Sequence, residues 1–371
     1  PSQGGAIYVH NVKELSIDSS IIRNMKATDD GCALYFEGST SQTLRIEDSV
    51  FEDCGTNKAN SIIHTKSDNF DYNNNHINYT SDNPTDTGRG IYVSSSIYCS
   101  ITNSEFSNCQ INDQEGAAIQ FEGPDDQDTD FVIDNVIIDN CKSSSSFYSK
   151  SFNPIQFSSV TIQNIESPCI IKIEHYSTVD LFTFTRCTFS QCNTQNGNGG
   201  GIGLSANNLE SIRFNNCDFQ NVQNTNQGGA VSFGVDNTND MNVFFDTCTF
   251  TGNQANNGGS LYFNIPQSIL ISQCTFMQQT SGIANGGSIY IENQPEITIV
   301  SSVFNQTKAT ANGNAIYIAQ TTVNTSIILQ LCTFENCQNS DNNVIYSQAS
   351  QLLLNQTEIR FTTTETTCCG L

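Results

Sequence analysis

Gly258-Gly259-Ser260-Leu261-Tyr262-Phe263, followed by Ser268-Ile269-Leu270-Ile271-Ser272-Gln273-Cys274-Thr275-Phe276, is the unit from which the chain is built. Two glycines, a small residue and an apolar-Tyr-apolar triplet lead into an alternating run that ends on Cys-x-Phe. Variants of this order recur from Gly4 to Asn342, thirteen copies in all. The period of about 28 residues is that of a solenoid repeat. The third place after each start is apolar in every copy, from Ile7 and Leu34 through Leu261 to Ile345, so that position faces a core.

Alternation at period two over four to eight residues marks strands, and no stretch sustains a helical period with caps. Equivalent strands lie a full period apart and carry the same residue types, which rules out hairpin pairing. Coiling the chain so that each copy lies above the last puts like on like, at a strand spacing of about 4.8 Å. The expected fold is therefore all-β: a parallel β-helix of about thirteen rungs, right-handed by the general preference of parallel crossovers. Phe51, Phe106, Phe189, Phe219, Phe250, Phe276, Phe304 and Phe334 share one slot and are expected to stack as its core ladder. Glycine at each start suits a corner that needs positive φ or close backbone approach. The Asn- and Gln-rich stretches before those corners, such as 223–227 and 254–257, are expected to be turns.

One continuous domain over residues 1–371 is expected, irregular between about 116 and 199, where the spacing of copies changes and loops lengthen. Insertions on a solenoid map to one face, often the binding face, so any specialised site is expected there. The first and last copies carry no cap, and an open rung offers unpaired backbone groups. End-to-end stacking with itself, or membership of a longer rod, is the expectation.

The chain carries 37 Asp and Glu against 14 Lys and Arg, a formal net charge of −23. That balance argues against nucleic acid or an anionic membrane as a partner. No apolar run is long enough for a transmembrane helix. No secretory leader precedes the first glycine pair, so the stretch reads as a mature product or a piece of something longer. Fifteen cysteines fall in repeat slots, none in Cys-x-x-Cys spacing. They read first as buried small hydrophobes, with pairing of neighbours such as Cys109 and Cys141 as the alternative.

Gly4-Gly5-Ala6-Ile7, Gly228-Gly229-Ala230-Val231, Gly258-Gly259-Ser260-Leu261 and Gly286-Gly287-Ser288-Ile289, with Phe250-x-x-Asn253, resemble the GGAI and FxxN repeats of chlamydial polymorphic outer membrane proteins and related surface β-helices of protists. Phe51, Phe106, Phe189 and Phe334 are followed by Cys where those repeats have Asn. The resemblance implies an extracellular or cell-surface protein with an adhesive or structural role.

Tyr8, Tyr35, Tyr92, Tyr148, Tyr262, Tyr290, Tyr317 and Tyr346 occupy a single slot. If their neighbours point inward, the rings face outward as a stripe. Such a stripe either stabilises the sheet or serves as an aromatic platform for sugars or a partner surface. Asp126, Asp128 and Asp130 place oxygens at alternate positions as a calcium loop does, but lack its Gly and closing Glu. A solvated acidic loop is the alternative, and Ca²⁺ is the sole cofactor considered. Asn78, Asn305, Asn324 and Asn355 open glycosylation sequons.

An enzyme is not expected. Polygalacturonase-like sites resemble Asn-Thr-Asp, Asp-Asp, Gly-His-Gly and Arg-Ile-Lys elements, of which only Asp-Asp occurs, at Asp29-Asp30 and Asp125-Asp126. The four histidines form no local motif. A polysaccharide lyase or hydrolase remains the alternative, because carboxylates one period apart become neighbours in a coil.

Overall fold

The computed structural model describes residues 5–28, 30–38, 41–55, 61–80, 88–94, 96–111, 115–124, 130–151, 155–175, 181–194, 202–206, 210–233, 241–264, 268–282, 284–292, 296–319, 326–337 and 343–361. Its contacts group into two compact units, Pro1–Ser177 and Thr178–Leu371. Each is a parallel β-coil, and no helix occurs among the described residues. Every turn of the coil contributes three strands to three long sheets. In the second unit one turn runs through Leu261–Asn264, Ser268–Ser272 and Thr275–Met277. Its strands pair in parallel with Ile289–Glu292, Glu296–Val300 and Val303–Asn305 of the next.

Like residues do stack on like. Phe189, Phe219, Phe250, Phe276, Phe304 and Phe334 form an unbroken column with ring centroids 4.6 to 5.0 Å apart and nearly parallel planes. In the first unit the same column runs Ile22, Phe51, Ile77, Phe106, Ile138, Ile162. Phe51 and Phe106 there stack on isoleucines, which the core accepts because shape and apolar volume decide fit. Phe184, Phe214 and Phe245 make a second stack from the middle strands.

The glycine pair meets two separate demands. Gly258 has φ of 61°, the left-handed region open to glycine without penalty. Gly259 has ordinary φ, but a Cβ there would collide with the Gly287 carbonyl oxygen of the next turn. Further corners lie on either side of the third strand. Asn103 and Asn108 adopt φ of 49° and 57°, a region Asn tolerates better than other residues with a Cβ. Their side chains also tie successive turns: Asn103 donates to Asn73 at 2.9 Å and Asn135 to Asn103 at 2.8 Å. Asn108 donates to Asn78 at 3.0 Å and Asn140 to Asn108 at 2.7 Å.

The stretches read as turns before the glycine corners contain more order than expected. Asn193–Thr194, Gln223–Asn224, Gln254–Ala255, Thr280–Ser281 and Lys308–Ala309 form a fourth short parallel sheet in the second unit. Their inward residues Thr194, Asn224, Ala255, Ser281 and Ala309 are small or polar and buried. Two-residue strands escape a reading based on alternation, because nothing alternates over two residues.

All thirteen described cysteines are free thiols, and all but Cys169 are buried. Most hand their S–H to backbone carbonyls, as Cys274 does to Ser272 and Phe245 at 3.3 and 3.6 Å. Burial pushes the Cys32 thiol up to about 12 and the Cys54 thiol up to about 11, so these groups stay protonated. No helix among the described residues is long and apolar enough to cross a membrane.

Candidate functional site

The tyrosine slot is a ladder in both units, open in part: Tyr92, Tyr290, Tyr317 and Tyr346 are half-buried. Tyr8 is 51% exposed, whereas Tyr35 and Tyr262 are 5% and 3% exposed and Tyr148 is buried as well. In the second unit Tyr262, Tyr290, Tyr317 and Tyr346 stack at 5.4, 4.9 and 4.9 Å. In the first unit register places Tyr8, Tyr35, His64, Tyr92, Gln120, Tyr148 and Lys172 in one column. Four of the tyrosines reach glutamates. Tyr35 donates to Glu37 at 3.3 Å, Tyr92 to Glu122 at 2.8 Å, Tyr148 to Glu174 at 2.9 Å and Tyr262 to Glu292 at 3.0 Å. Burial, aided by these carboxylates, raises the phenols of Tyr35 and Tyr262.

Those glutamates belong to a second column two residues further along. In the first unit it includes His10, Glu37 and Lys66, then Ser94, Glu122, Lys150 and Glu174. Signs alternate up much of this column, and Glu37 lies 3.8 Å from His10 and 3.6 Å from Lys66. No local motif reveals such an arrangement, since its members are about one period apart. Only the repeat register, applied to charged residues as it was to Ile and Phe, would have found it.

Between Asp30 and Tyr148 the outer face of the first sheet opens into a groove of about 480 Å³, lined by Asp30, Arg89, Tyr92, Glu115, Gln120, Glu122 and Tyr148. Arg89 is buried, its Nε 3.1 Å from the Gly116 carbonyl oxygen and one terminal nitrogen 3.2 Å from that of Glu115. Burial lowers its guanidinium to about 10, still charged at neutral pH, and it lies 5.5 Å from the centre of the Tyr92 ring. Gln120 donates to Glu122 at 2.6 Å. Beside the groove, Lys172 bridges Glu115 and Glu174 at 2.8 and 3.0 Å and sits 5.6 Å from the Tyr148 ring centre. Burial opposes the charge on Lys172, but the two glutamates outweigh it and hold the ammonium above its usual range. Glu174 is likewise held low by Lys172 and Tyr148 against the effect of burial. A concave wall of aromatic rings with converging carboxylate, guanidinium and amide groups has the makings of a small-ligand site.

One rung away, His64 is buried with neither ring nitrogen hydrogen-bonded. Asp30 Oδ2 lies 3.5 Å from Nδ1, too far to offset burial and the Lys66 and Arg89 charges. These lower the imidazole to about 3, so it is neutral.

The other candidate residues do not gather here. Asp126 and Asp128 lie outside the described residues. Asp130 opens the strand Asp130–Asp134, its backbone N–H donating to Ile97 at 2.9 Å. Among the described residues no three His, Cys, Asp or Glu groups converge as metal ligands. Of the sequon asparagines, Asn355 is exposed while Asn78 and Asn305 are half-buried. Asn324 lies outside the described residues.

No curated protein and no solved structure matches the chain. Residues 5–184, which hold the groove, match the family model described as right handed beta helix region, and with the parallel register this makes the fold a right-handed parallel β-helix.

Proposed function

We propose that the chain is an extracellular or cell-surface β-solenoid with an adhesive role, and that it engages carbohydrate through the groove of its first unit. The groove carries the proposal: Tyr92 and Tyr148 offer ring faces, while Arg89, Gln120, Glu115 and Glu122 offer acceptors and donors at their edges. Aromatic rings combined with a few fixed polar groups suit ligands that are apolar on one face and hydroxylated at the rim. Net charge disfavours nucleic acid. A glycan array probed with the labelled intact chain tests this reading. Binding that Tyr92→Ser with Tyr148→Ser abolishes, at an unchanged circular-dichroism spectrum, supports it. An array with no signal, or one that the double variant does not change, refutes it.

A second reading, a polysaccharide lyase or hydrolase, is favoured by Lys172 standing between the carboxylates of Glu115 and Glu174. New reducing ends or unsaturated products from a polysaccharide panel, lost in Lys172→Met, would select it. Leu352, Leu353 and Leu354 leave apolar surface exposed on Gln351–Asn355, on which a further turn can stack, that of a second copy end to end or of a longer chain. Fibres in negative-stain images would support the end-to-end arrangement.

A further inference from the structure

The tyrosine ladders of the two units differ at several rungs, one of which coincides with the groove. Beyond Tyr262 the next place is filled by Tyr290, stacked at 5.4 Å. Beyond Tyr92 the same place holds Gln120, in register with Tyr92 on one side and Tyr148 on the other. The glutamate contact is shared, while Arg89 of the groove has Gly259 as its counterpart in the second unit. Tyr92 reaches Glu122 at 2.8 Å as Tyr262 reaches Glu292 at 3.0 Å, and each glutamate stands two residues beyond the place in question. Part of the groove is thus the volume of a ring that Gln120 does not supply.

Gln120 is also incompletely bonded. Its Nε2 donates to Glu122 at 2.6 Å, while Oε1 is buried without a hydrogen-bond partner. Native proteins leave few such atoms, and each calls for an explanation. Around it the groove is acidic: Asp30, Glu115 and Glu122 line it with Arg89, and Arg89 donates to the carbonyls of Gly116 and Glu115. The groove therefore offers the faces of two tyrosines with a shorter side chain between them, and a rim that accepts protons more than it donates them.

We infer that the gap at Gln120 is a subsite for one neutral or amino-substituted pyranose ring. The ring packs beside Gln120 against Tyr92 and Tyr148, and its hydroxyl or ammonium protons go to the carboxylates of Asp30, Glu115 and Glu122 that line the groove. A phenyl ring would cut those carboxylates off from water without supplying a proton donor, and a uronate or sulfated sugar would bring like charge against them. The inference rests on the carbohydrate reading above and narrows it.

The test uses the intact chain and titration calorimetry with three probes: cellohexaose, a chitosan hexamer and hexagalacturonate. Cellohexaose and the chitosan hexamer are expected to bind, and hexagalacturonate to bind at least about tenfold more weakly. Gln120→Tyr, which restores the ladder seen in the second unit, is expected to cost about tenfold or more in affinity at an unchanged melting temperature. Gln120→Glu keeps the size and adds a charge, so it should tighten the chitosan hexamer about threefold while weakening cellohexaose. Equal or tighter binding of hexagalacturonate, or unaltered binding by Gln120→Tyr, overturns the subsite and leaves the carbohydrate reading standing. Should Gln120→Tyr fail to fold, Gln120→Glu decides, and indifference of the chitosan hexamer to it overturns the subsite. Silence from all three probes removes the subsite, and the glycan array then decides separately on the broader reading.

Discussion

At the scale of single residues, His64 shows what the ladder costs when its occupant is wrong for the place. Its ring packs 4.7 Å from Tyr35 and 4.8 Å from Tyr92, so the stack is maintained, but both nitrogens are buried without hydrogen bonds. Its folded pKa of about 3 lies below the ordinary 6.5. Between those values the unfolded chain binds a proton that the folded chain refuses, so stability falls as the pH drops through that window. His64→Phe keeps a ring and removes both buried nitrogens. Urea denaturation is expected to show a gain of about 1 to 3 kcal/mol at pH 7 and a larger one at pH 4. A variant no more stable than the parent at either pH would mean that the imidazole is satisfied in solution. Corner residues were legible only in part. Asn at 103, 108, 135 and 140 fits its left-handed φ, but Leu331 adopts φ of 54° at an equivalent corner and is 47% exposed, which no residue preference foretells.

At the scale of elements, the strands are short and derive their stability from stacking between turns. Phe276 illustrates this, with rings above and below at 4.6 and 4.7 Å and no exposed surface. Phe276→Ala is expected to cost about 3 to 5 kcal/mol by cavity formation, measured as a shift in the denaturant midpoint. A loss below about 1 kcal/mol would show that neighbouring turns close the gap. This column was readable in the sequence because apolar residues recur at a fixed place. The fourth sheet was not, since Gln254–Ala255 and its partners are two residues long and mostly polar. The tyrosine slot was readable as a slot, but its bonds to Glu37, Glu122, Glu174 and Glu292 were not, because those partners come from the same strand or the adjacent turn.

At the scale of the whole molecule, charge outweighs any single ion pair. A net charge of −23 repels itself over distances that salt shortens from about 30 Å at 0.01 M to about 8 Å at 0.15 M. The ion pairs of the first unit are partly exposed, and such pairs are worth about 0 to 1 kcal/mol each. The melting temperature is therefore expected to rise by a few degrees across that range of sodium chloride, as followed by scanning fluorimetry. A fall would show that the alternating column contributes more than the net charge takes away.

What the sequence determined alone was the coil: a period of about 28 residues, strands without helices, the phenylalanine column and the glycine corner. Each depends on residues that repeat, and repetition is visible in one dimension. What the tertiary structure decided was the groove. Tyr148 was legible as a member of its slot, but Asp30, Arg89, Glu115 and Gln120 follow no common motif and become its neighbours only because the coil brings distant turns together. The same winding covered part of a column of tyrosines, and at the groove it set a glutamine where the second unit has a ring.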